Sequence, residues 1–166
     1  MNRLISVFVF LLACSWPAGA LVDPCALLTP AEIESVLGVK VSGFGGGSQI
    51  GGTQTCGGTA AKRMSIMLMV VTQKPGDPKV ADPLGFLETQ SRQSAKSIGA
   101  QMDAKRFGSS ILCTTLIPPK QGPYSTQCMV VKAPSMASIG IMVATQQDMV
   151  SMDKLHALAE KMAGRF

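Results

Sequence analysis

The sequence predicts an α+β fold, a two-layer sandwich in which about three helices cover an antiparallel sheet, in the order α-β-β(-β)-α-β-β-β-α, with two disulfides. Three observations carry this expectation. Residues 29–38 hold a helix with start and stop signals at both ends. Several apolar runs are separated by short Gly- and Pro-bearing turns, which favours antiparallel pairing. Four cysteines follow a leader-like N-terminus, an even set suited to two bridges.

The first helix is the clearest element. Thr29 is a good N-cap, Pro30 sits at N1 where a missing N–H costs nothing, and Glu32 at N3 completes a capping box. Leu28 and Ile33 are spaced as a hydrophobic staple, Ile33, Val36 and Leu37 form an apolar stripe, and Gly38 suits the left-handed stop. Val39 to Ser42 could add a short strand before a glycine-rich loop, Gly43 to Gly52. That loop has no G-x-G-x-x-G, and Gly58-Thr59 stands where a P-loop needs Lys then Ser or Thr, so a phosphate cradle is excluded.

Arg63 to Gln73 is the strongest strand. Ile66, Leu68 and Val70 face one way and Ser65, Met67, Met69 and Val71 the other, apolar on both sides as a central strand would be. Residues 74–83, with three prolines and a glycine, read as a loop. Asp82-Pro83 starts a second helix with Leu84, Leu87, Ser91, Ala95 and Ile98 on one face and Gly99 at the stop. Gly108 to Ser110 is a turn into three strands: Ile111 to Ile117, Thr126 to Ala133, and Ser138 to Thr145, with turns at 118–124 and 134–137. A last helix from Ser151 to Ala163 turns Met152, Leu155, Ala159 and Met162 inward, and Gly164 ends it.

Residues 1–20 have the layout of a secretory signal peptide: Met-Asn-Arg, an apolar run from Leu4 to Ala13, Pro17, then Ala18-Gly19-Ala20. The run is too short for a transmembrane anchor. The rival reading is a lipobox, with Cys14 lipidated as the new N-terminus. It would require a thirteen-residue signal and tolerate Leu12 at an ill-suited position, so cleavage after Ala20 is the expectation. A single domain, 21–166, follows, exported to the periplasm or beyond. Without Arg3 it carries fourteen Lys and Arg against ten Asp and Glu, scattered rather than clustered, with Tyr124 as its one Tyr and no Trp. That pattern argues against nucleic-acid binding.

The exported domain keeps Cys25, Cys56, Cys113 and Cys128. Cys113 and Cys128 lie either side of a turn centred near residue 121 and so face each other across a hairpin. That leaves Cys25 to pair with Cys56, tying the start of the first helix to the following strand. No C-x₂₋₄-C pair occurs and the single histidine cannot complete a Cys₂His₂ set, which argues against zinc.

The stretch D-P-C-A-L-L-T-P-A-E-I-E-S-V-L-G, residues 23–38, resembles the N-terminal signature of a broad group of exported bacterial proteins of unknown function, many of them lipoproteins. In that group an Asp-Pro-Cys, two apolar residues, Thr and an Ala-Glu helix follow the export signal, and a second cysteine precedes a strand like that from Cys56 through Met64 to Val71. The resemblance implies export and a small α+β domain ending in an Ala/Leu-rich helix, here Asp153 to Gly164. The chain departs from the group in its poor lipobox, its glycine-rich loop and the Cys113/Cys128 pair. No catalytic residues come with the resemblance.

The residues themselves offer little catalytic chemistry. His156 is the only histidine, one turn from Glu160 at the border of an apolar stripe, and the carboxylates are dispersed. The expectation is a non-enzymatic binding domain with no cofactor, its partner an exported or envelope protein. Methionine is the excess: ten remain after Met1. Thioethers are ordinary core filler, but Met67 and Met69 share a strand face that Met142 joins if the strands pair, giving a soft apolar binding face. The alternative is a small-ligand or Cu(I) carrier using that face.

Overall fold

The computed structural model describes residues 22–72, 80–120 and 122–166. The signal peptide expected over 1–20, with Cys14, lies outside them, as do most of the loop expected at 74–83 and the turn centre at 121.

A short helical turn, α1 (Pro24–Leu27), precedes the predicted first helix. Asp23 caps it by accepting from the Cys25 N–H at 2.9 Å. Helix α2 (Pro30–Leu37) has the full capping box: the Glu32 N–H donates to Thr29 Oγ1 at 3.3 Å and the Thr29 N–H donates to Glu32 Oε2 at 2.9 Å. Gly38 ends it in the left-handed conformation, φ 73°. Leu28 and Ile33, the staple pair, are both fully buried.

Eight antiparallel strands form one sheet: β1 (Val41–Gly45), β2 (Gln49–Ile50), β3 (Thr53–Ala60), β4 (Met64–Thr72), β5 (Gln101–Phe107), β6 (Ile111–Ile117), β7 (Tyr124–Lys132) and β8 (Ser135–Val143). The order across it is β1-β3-β4-β8-β7-β6-β5, with β2 pairing β3. From β4 the chain crosses by α3 (Pro83–Ser97) to the far edge and returns by consecutive hairpins, so that β8 closes against β4. The β4 strand is thus central, as its doubly apolar pattern requires.

Four segments differ from the expectation. The glycine-rich loop is partly strand: Gly51 and Gly52, both at positive φ, form the two-residue turn that pairs Ile50 with Thr53. Residues 53–60, rich in Thr and Gly, and the unassigned residues 101–107 are full strands. The turn expected at 134–137 tightens, and β8 begins at Ser135.

Helices α1, α2 and α4 (Met152–Arg165) pack on one face of the sheet, around Ile66, Leu68, Val70, Cys128, Val130, Ile139 and Ile141. Helix α4 inserts Leu155, Leu158, Ala159 and Met162, all fully buried. It runs through Gly164 because its last carbonyls have partners: Lys132 Nζ donates to Ala163 O at 2.7 Å and Phe166 O at 3.0 Å. Helix α3 lies on the reverse face, where Leu84 and Leu87 meet Leu112, Met129 and Ala104. Its face is shorter than the sequence reading supposed, since Ile98 is 58% exposed. The reverse layer is partial, and that positions the site.

Candidate functional site

Strand register assembles the site. Against β8, Met67 pairs with Gly140, Met69 with Ser138, and Ser65 with Met142. Alternation puts all three methionines on the reverse face, opposite α1, α2 and α4. Together with Ser125, Gln127 and Ser138 they line one shallow groove of about 170 Å³, with no ionisable side chain among its described lining residues. Gly140 adds no side chain between them, which leaves the groove open. Met67 is 43% and Met142 36% exposed, on the two central strands of the sheet. Met64, Met129 and Met162, by contrast, are buried filler.

Further along the same face, Val71 pairs with Met136 and Met136 with Val131. This cross-strand row floors a second, larger depression where the start of α3 overhangs the sheet, a cleft of about 540 Å³. The sequence reading missed it, because nothing local shows that residues 83–87 turn back over residues 131–136.

The four cysteines form the expected bridges. Cys25–Cys56 has a Cα separation of 5.3 Å and ties α1 to β3. Cys113 and Cys128 are register partners in the β6–β7 hairpin and bonded to each other.

His156 stacks on Phe107 with ring centroids 3.8 Å apart, and its Nε2 is 3.6 Å from Glu160 Oε1. Both rings belong to the helix-covered side, so the sheet stands between His156 and the methionines. Lys105 lies over the same Phe107 ring, 4.7 Å from its centroid, and reaches Asp153 at 2.8 Å. That contact lowers the Asp153 carboxyl. Glu88 is lowered by Arg92, its neighbour within α3, and then by Arg106, whose ion pair ties α3 to β5. Among the described residues no group of three His, Cys, Asp or Glu is placed to hold a metal ion.

The most perturbed carboxylate is Glu32. Arg165 grips it with two guanidinium nitrogens at 2.6 and 2.7 Å, and the Thr29 N–H adds a third hydrogen bond. Its pKa falls from the usual 4.5 to about 2, the Arg165 hydrogen bonds contributing most. Arg165 also donates to Leu27 O at 3.0 Å, so one side chain joins α1, α2 and α4. The sequence reading gave Glu32 to the cap and assigned Arg165 no role. Arg165 lies past the helix stop expected at Gly164, so the sequence carries no signal for its role; the helix runs on to Arg165.

Comparison with protein-family models and with curated proteins returns no match. The likeness of residues 23–38 to exported proteins therefore rests on those residues alone.

Proposed function

We propose that this chain is an exported, non-enzymatic binding domain whose working surface is the groove of Met67, Met69 and Met142, and whose partner is an exported or envelope protein offering an apolar contact. The observation that carries the reading is the exposure of apolar Met67 and Met142 on central strands, where the open face of an antiparallel sheet is ordinarily polar. Unbranched thioethers repack against varied apolar shapes, and the uncharged lining suits a partner's apolar residue better than a charged one. Two disulfides fit an oxidising compartment and so support export.

The test places a photoreactive amino acid at position 67, and as a control at position 160 on the helix-covered side, in the exporting cell. A discrete adduct is expected from 67 alone. With the purified partner, Met67→Glu should weaken binding about tenfold or more. Equal labelling from both positions, or unchanged affinity, would remove the support.

A second reading is Cu(I) carriage, favoured by one observation: three thioethers, the soft ligands Cu(I) accepts, line a single groove. Titration of Cu(I) against a competing chelator decides it, and no binding at micromolar metal closes it.

A further inference from the structure

The larger cleft invites a different ligand. We infer that the space between the start of α3 and the ends of β4, β7 and β8 is a binding site for an apolar small molecule whose inserted part is a hydrocarbon chain. Its volume, about 540 Å³, falls within the roughly 300–1,000 Å³ of small-molecule sites and is about three times that of the methionine groove. The two share no described lining residue.

The walls define the chemistry. The floor is the cross-strand row Val71, Met136 and Val131, and Phe86 and Leu87 overhang it from α3. Ser135 is the one polar side chain among the described lining residues, and its hydroxyl is turned to Thr72 Oγ1 at 3.5 Å. No side chain among the described lining residues is ionisable. A charged or strongly polar group taken into this space would lose its hydration with no ionised partner among the described lining residues, whereas hydrocarbon loses nothing. At the mouth Phe86 is 48% and Val80 37% exposed, apolar surface that an inserted chain would cover. The start of α3 is joined to β5 by the ion pairs of Arg106 with Glu88 and Asp82, at 3.0 and 3.6 Å.

The test uses the full exported domain labelled with ¹³C on its methionine methyl groups and titrated with 1-decanol. A saturable shift of the Met136 methyl is expected, with the Met67 and Met142 methyls unmoved. Val71→Trp, which fills the floor, should cut the apparent affinity about tenfold or more. If that variant does not fold, Phe86→Gln, altered at a half-exposed position, should cut it about threefold. Shifts at Met67 and Met142 in place of Met136, no saturable shift, or unchanged affinity in the folded variants would overturn the inference. Because the methionine groove has its own lining and its own test, either site can fail without the other.

Discussion

The two faces of β4 and β8 are built by the same chain segments and end in opposite environments. On the helix-covered face, Ile66, Leu68, Ile139 and Ile141 are at most 1% exposed. On the reverse face, Met67 and Met142 keep 43% and 36% of their surface. Both faces are apolar, so hydrophobic pattern does not distinguish them. The difference lies in residue type and in coverage. Branched, stiff side chains fill the face that three helices close, and flexible thioethers lie on the face that one helix half covers. A stiff core and an adaptable surface are thus made from one pair of strands.

The contrast can be broken most directly by truncation. Leu68→Ala on the closed face should cost about 2–5 kcal/mol in urea unfolding, since it leaves a cavity beneath the helices. Comparable losses from Leu68→Ala and Met67→Ala would mean that the two faces are equally packed. The second effect in size concerns what holds the helices on the closed face. The double replacement of Cys25 and Cys56 by Ser should lower stability by about 2–4 kcal/mol, and an unchanged melting temperature would show that the bridge does not staple α1 to β3.

A smaller effect comes from Arg165. Because the folded-state pKa of Glu32 lies below its ordinary value, the contact stabilises fully above about pH 4.5 and is lost as pH falls toward about 2. Arg165→Met should cost about 1 kcal/mol at neutral pH, as expected for a half-exposed forked pair, and should flatten the acid limb of the stability curve over that window. A mutant whose acid limb runs parallel to that of the parent would dissociate Glu32 from acid stability. The smallest effect is Met67→Ala itself, expected to change stability by less than about 1 kcal/mol because the side chain is already partly in water.

Much of the fold was legible because local signals agreed with the tertiary answer. Thr29, Pro30, Glu32 and Gly38 each have one good use, and the structure puts them to it. The doubly apolar run around Leu68 had to be central. Strand β3 escaped because Thr53 to Ala60 lacks apolar alternation: β1, β4 and the Cys25 bridge hold it in the sheet. Strand β5 escaped for another reason. It is an edge strand carrying Asp103, Lys105 and Arg106, charges that protect an edge and erase the pattern that would reveal a strand. Of the candidate site, the shared face of Met67 and Met69 followed from a period of two, and Met142 joined it through the β4–β8 register. The cleft beside it had no local signature.

The sequence by itself determined the helix caps, the central strand, both cysteine pairings and the excess of methionine, because each depends on neighbours a few residues away, on one hairpin, or, for Cys25–Cys56, on elimination once that hairpin pair is made. Only the tertiary structure decided which face the helices would close. Helix α3 crosses on the side opposite to α1, α2 and α4, and about 60 residues separate β4 from β8, the more distant of its two partners. Burial on a sheet whose faces are both apolar is set by what packs on each, and that choice is made by long-range topology.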